Sequence, residues 1–254
     1  MPVEHLDYVD RAVELVDAAR NRGIPLRILG SLAYRIHCPA NIGLFEAMKR
    51  DLTDIDFATR GEHRKAVRDY LGGLGYEIDR DILATTEGKR YAFIDPKTGM
   101  NVDVFFDELF FCHPIPLKNR LDMDYPTITP TDLLLEKMQI VEINPKDIKD
   151  SLVLLLEHPI KPDTPDAIDP SYIASLLGAD WGFFYTFTTN LKRLDGEITK
   201  AGFEAAAATT IRSRIEELMQ AIERAPKSTG WKLRARVGTR VKWYQEVAEK
   251  GQTF

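Results

Sequence analysis

The sequence predicts an α+β protein: a mixed α/β half over residues 1–126, then an all-helical half over residues 127–254. Two observations carry this. As far as Phe106, short runs rich in β-branched and aromatic residues alternate with helical periodicity, and Gly and Pro punctuate the joins. After Pro130 the strand pattern stops, and apolar residues recur at three- and four-residue spacing. At 254 residues the chain can hold one large domain or two small ones.

The elements follow in order. Val9, Ala12, Val13, Leu15, Val16 and Ala19 recur at helical spacing over 8–20, and Asn21-Arg22-Gly23 ends that helix with glycine as its C-cap. Residues 25–29 read as a short strand, from which Gly30-Ser31 turns into a helix over 32–37. A strand is expected at 55–59, a helix at 62–74 closed by Gly75, and strands at 76–78, 91–94 and 102–106. Pro96-Lys97-Thr98-Gly99 is a turn that joins the last two as a hairpin. Helices are expected at 132–142, with Thr131 or Asp132 as N-cap, and at 146–157. Residues 158–170 (HPIKPDTPDAIDP) read as a surface linker. From Tyr172 the chain reads as helical to its end, with one break near 228–230.

A formal net charge of −5 argues against a chain that coats nucleic acid throughout. Two cysteines, Cys38 and Cys112, offer neither a disulfide framework nor a Cys-x-x-Cys pair, which points to a reducing compartment. The opening MPVEHLDYVD has no charged segment followed by an apolar one, and no apolar run reaches the roughly 18–20 residues a membrane helix needs. No signal peptide, no membrane partner and a cytoplasmic location are therefore expected.

The chemistry is concentrated in Leu-Thr-Asp-Ile-Asp-Phe-Ala-Thr, residues 52–59. Burying a charge is costly unless it is paired or bound to a metal. The chain has 22 aspartates, so a bare Asp-x-Asp pair says little, and there are three: Asp54/Asp56, Asp79/Asp81 and Asp122/Asp124. The last precedes Tyr125-Pro126 and reads as loop; Asp79/Asp81 reads as a solvated strand end. Asp54 and Asp56 sit in a strand, where residues two apart share a face. Two carboxylates on one face suit a hard cation such as Mg²⁺, which takes oxygen ligands. Asp103, between Val102 and Val104, is the candidate third carboxylate; the competing reading is an ion pair with Arg90. Upstream, Gly30 permits close approach and Ser31 adds a hydroxyl at a helix start suited to phosphate.

Strand, Gly-Ser, helix, then Asp-x-Asp, then one Asp on a later strand resembles the DNA polymerase beta-like nucleotidyltransferase superfamily, over residues 26–106. Lys137 followed by Lys146-Asp147 and Asp150 is similar to the C-terminal signature of its AbiEii-type, toxin-like branch, with Lys146 where an Arg is usual. The 23 residues from Ser31 to Asp54 make a longer gap than the family's, filled by an insertion over 38–52.

The resemblance implies a nucleotidyltransferase-type mixed sheet with flanking helices and a helical C-terminal domain. It also implies an enzyme that moves a nucleoside monophosphate from an NTP such as ATP to an acceptor hydroxyl. Asp54, Asp56 and Asp103 would hold Mg²⁺ or Mn²⁺, and Asp103 would help deprotonate the acceptor. Gly30 and Ser31 would hold the leaving phosphates, Lys137 would place a charge on the triphosphate, and Asp147 would orient Lys137 or the acceptor. The acceptor is open among tRNA, a protein and a small molecule such as an antibiotic. A toxin–antitoxin arrangement, with an antitoxin protein as partner, fits the branch. A non-catalytic nucleotide-binding or interaction protein on the same fold is the reading from another class.

Arg224, Lys227, Lys232, Arg234, Arg236, Arg240 and Lys242 lie in a stretch with no acidic residue between Glu223 and Glu246. Trp231, Trp243 and Tyr244 are interleaved. Read functionally, this is a tRNA-binding surface with stacking aromatics; read structurally, it is a solvated helix face with core aromatics. The aromatics of WGFFYTF, residues 181–187, read as helical core rather than a base-stacking platform. Cys112-His113-Pro114 reads as a strand exit.

Overall fold

The structure is a computed structural model that describes residues 8–47 and 52–246. It is α+β, with a small mixed sheet, many helices and a helical C-terminal region. The chain forms two compact units, 1–109 with 115–133, and 110–114 with 134–254.

In the first unit, α1 (Tyr8–Arg20) buries Ala12, Leu15, Val16 and Ala19 on one face. Gly23, at φ +71°, lets the chain reverse, so that its N–H reaches Arg20 O and Ile24 N–H reaches Ala19 O. Then come β1 (Arg27–Leu29), α2 (Gly30–His37), a 3₁₀ turn, α3 (Ile42–Ala47), β2 (Asp54–Thr59), a second 3₁₀ turn and α4 (Arg64–Gly73). Next are β3 (Glu77–Ile78), α5 (Arg80–Thr85), β4 (Arg90–Ile94), β5 (Asn101–Phe106), β6 (Glu108–Phe110) and β7 (Pro114–Pro116), the last two a separate ribbon whose residues Phe110 and Pro114 are counted with the second unit. The inserted 38–52 segment thus carries a 3₁₀ turn and a short helix within its described residues. α5 falls where a strand end was expected, because Asp79 Oδ1 caps it by accepting from the N–H groups of Asp81 and Ile82.

The five-stranded sheet runs β1-β2-β5-β4-β3. Only β2 and β5 pair in parallel; β1 with β2, β4 with β5 and β3 with β4 are antiparallel. The hairpin expected around 96–99 is β4–β5. Helices α1 and α2 pack on β1 and β2, and Tyr70 of α4 donates to Leu15 O of α1. Ile28, Ile55, Phe57, Val102 and Val104 form the buried strand core. Outside β1, Ile28 N–H donates to Pro126 O and Ile128 N–H to Ile28 O. These bonds tie residues 126–128 to the first unit, which ends at 133 rather than at the expected 126.

Helix α6 is Pro130–Met138, not 132–142. Thr129 Oγ1, rather than Thr131 or Asp132, accepts from Asp132 N–H at its start. At its end the Asn190 side chain donates to Met138 O and Ile140 O, satisfying carbonyls that a longer helix would have used. The second unit continues with α7 (Pro145–Glu157), α8 (Pro170–Ala179), α9 (Trp181–Glu197), α10 (Ala205–Arg224) and α11 (Thr229–Val237). The helical tail is therefore interrupted three times among the described residues, not once, and residues 241–246 are not helical. Asp180 ends α8 and caps α9, Gly202 turns at φ +77°, and Pro226 follows α10. Residues 158–170 form an ordered loop closed by an Ile160–Ile168 bridge, with Ala167 and Ile168 buried. Among the described residues no helix is long and apolar enough to cross a membrane.

Candidate functional site

Strand parity builds the site. Ile55 and Phe57 point into the core, so Asp54 and Asp56, alternating with them, share the opposite face of β2. On parallel neighbour β5, Asp103 is the register partner of Asp56, and Asn101 that of Asp54. Registered partners point to the same side of a sheet, so all three carboxylates lie on one face. On the other flank Leu29 pairs with Asp56, and the chain passes directly into α2 at Gly30. Gly30 has φ +68°, and a Cβ there would lie 2.5 Å from Asp56 Oδ2. Glycine at 30 is thus required twice, by backbone conformation and by the carboxylate against it. Ser31 is buried in the first turn of α2.

The carboxylates differ in surroundings. Asp54 and Asp56 are half-buried, and Thr53 Oγ1 donates to Asp54 Oδ1 at 3.2 Å. Asp103 is buried, with Oδ2 accepting from Arg90 Nη2 at 2.5 Å, so the ion pair weighed as the competing reading is present. Asp103 Oδ1 is buried without a partner, as is Arg90 Nε. Desolvated charge with an unmet acceptor is what a hard cation relieves. The donor set is oxygen-only, the ligand type that Mg²⁺ and Mn²⁺ take, but the three do not bring one oxygen each within 4.8 Å of the others. The other two Asp-x-Asp pairs have structural employment: Asp79 caps α5, and Asp122 is hydrogen-bonded to Arg60.

Lys137 and Asp147 lie in the second unit. Lys137 Nζ is 3.0 Å from Asp147 and 3.2 Å from Glu136, and its side chain is buried rather than solvated. Burial pushes the ammonium's pKa down, but the surrounding Glu136, Asp147 and Asp150 outweigh it and the net direction is up. Asp147 is itself held by Asn144, whose Oδ1 caps α7 and whose Nδ2 donates to Asp147 Oδ2 at 2.7 Å. Asp150 is buried in the next turn of α7.

The basic segment of 224–242 is only partly free. Trp231 packs edge-on against Phe184, and Arg234 lies over Trp181 while donating to Gly238 O and Val241 O. Trp243 packs against Tyr185 and donates to Thr186 Oγ1. Trp231 and Trp243 are thus spent on α9, whose Phe183 and Phe187 are buried as expected for core, whereas Tyr244 packs on Trp243 and carries Lys242 over its ring. His113 stacks on Phe183 at 5.0 Å with its Nε2 2.9 Å from Thr186 Oγ1, and burial lowers its pKa to about 4 against a smaller opposing pull from Asp180. The strand-exit reading gave His113 no such place; its neighbours come from α9, far along the chain.

No family model matches the chain, and neither a curated protein nor a solved structure does.

Proposed function

We propose that the chain is a metal-dependent nucleotidyltransferase with the architecture of the DNA polymerase beta-like superfamily, nearest its AbiEii-type branch. It would move a nucleoside monophosphate from an NTP to an acceptor hydroxyl. The observation that carries this is the juxtaposition of Asp54, Asp56 and Asp103 on one sheet face with Gly30 packed against Asp56. Asp54, Asp56 and Asp103 would hold Mg²⁺ or Mn²⁺, which when bound supplies charge neutralisation on the phosphates. The acceptor oxygen bonds to the α-phosphorus, the α–β phosphoanhydride bond breaks, and pyrophosphate leaves. Asp103 would take the acceptor's proton. The backbone at Gly30 and the hydroxyl of Ser31 face the departing phosphates. The resemblance adds Lys137, oriented by Asp147, as a cation for the triphosphate; tRNA or a protein is the favoured acceptor, with an antitoxin as partner.

The Arg90–Asp103 pair favours a second reading, a non-catalytic nucleotide-binding or interaction protein on the same architecture. The test is incubation with each α-labelled NTP, Mg²⁺ and total tRNA, beside the Asp54→Ala/Asp56→Ala double variant. Label on RNA with wild type alone supports transfer to tRNA. NTP binding without label moves the acceptor to a protein or small molecule, to be supplied in its turn. No Mg²⁺-dependent NTP binding by the wild type refutes the enzyme.

A further inference from the structure

Residues 232–241 repeat a dyad of one basic and one aliphatic residue every four positions: Lys232-Leu233, Arg236-Val237, Arg240-Val241. Residues four apart on a helix lie above one another. On α11 the first two dyads therefore make parallel stripes, one cationic and one aliphatic; Gly238, at φ +63°, ends the helix, and the third dyad follows it at the end of the 3₁₀ turn Gly238–Arg240. The opposite face of α11, Trp231 and Arg234, is seated on α9. Leu233, Val237 and Val241 are 57%, 40% and 59% exposed. Isolated exposed aliphatics are ordinary, but three of the nine large hydrophobic residues found exposed fall within this ten-residue stretch. No described acidic residue pairs with Lys232, Arg236 or Arg240.

We propose that this surface docks an acidic amphipathic helix of a partner protein, with Leu or Ile beside Glu or Asp at four-residue intervals. Charge complementarity sets the sign, since the face is cationic on a chain of net charge −5. The aliphatic stripe sets the class. A phosphate backbone would use the cations and gain nothing from Leu233, Val237 and Val241, and the two tryptophans that could stack on bases are turned onto α9. A membrane-surface helix would direct its large aromatics outward, whereas Trp231 faces inward. A helix carrying both complementary stripes satisfies the whole face. The surface stands independently of nucleotidyl transfer.

The test uses the full chain and a labelled, stapled 18-residue helix with Glu-Leu dyads every four residues, beside total tRNA and phosphatidylglycerol vesicles. Saturable binding of the helix is expected. Leu233→Ser/Val237→Ser should weaken it at least tenfold, and so should Lys232→Glu/Arg236→Glu. The charge-reversed variant should bind a Lys-Leu version of the helix instead. All four positions are exposed, and thermal melting verifies that the variants fold. The proposal is overturned by absence of saturable binding, by binding that Leu233→Ser/Val237→Ser leaves unchanged, or by tRNA or vesicles binding more tightly than the helix.

Discussion

Asp103 places one carboxylate oxygen on Arg90 and buries the other without a partner. Removing the guanidinium strands a buried charge, so Arg90→Met should cost about 2–3 kcal/mol in urea unfolding. If the three carboxylates hold a cation, Mn²⁺ should raise the melting temperature of Arg90→Met more than that of wild type. Gly30→Ala meets two obstacles, the positive φ and Asp56 Oδ2; a loss of about 1–2 kcal/mol is expected, with weaker Mn²⁺ binding as Asp56 turns aside. The sequence discloses these residues unevenly. Alternation puts Asp54 and Asp56 on one face, and the turn at 96–99 fixes the β4–β5 register that sets Arg90 diagonally across from Asp103. The pairing of Asp56 with Asp103 is different, because β2 and β5 are parallel and distant in sequence and nothing local sets their register.

Helix ends show a similar division. Gly23 and Gly75 both stand at positive φ and close α1 and α4 with the same pair of backbone bonds, a pattern local enough to be read directly. Helix starts are subtler. Asp79, Asn144, Asp169 and Asp180 each accept from backbone N–H groups in the first turn. In the sequence Asp79 reads as a strand end, because the six-residue α5 buries nothing and has no apolar stripe to announce it. Asp180 stands inside a long apolar stretch whose periodicity runs across the break and hides it. Asp180→Ala should cost about 1 kcal/mol, read as a lower urea midpoint with unchanged slope.

At the scale of the molecule, stability should depend on pH through His113. The unfolded chain takes up a proton near pH 6.5, but the folded chain resists until about pH 4. Stability should therefore fall as pH drops from about 6.5 to about 4 and then level, a loss of at most about 3 kcal/mol. His113→Gln should flatten that window, measured as urea midpoints from pH 7 to 4. The α+β division and the helical C-terminal region are legible in the sequence because they rest on periodicity. The allocation of 110–114 to the second unit is not, because the partners of this stretch lie far along the chain, as where His113 stacks on Phe183, seventy residues away.

That allocation makes the chain pass from one unit to the other three times, after residues 109, 114 and 133. Neither unit is a contiguous stretch of gene. A fragment beginning at 134 would leave behind the imidazole that stacks on Phe183 and meets Thr186, and a fragment ending at 109 would lack the strand pairing of Ile28 with 126–128. A single crossover at any position would therefore split at least one unit, and neither can be traded as one uninterrupted cassette.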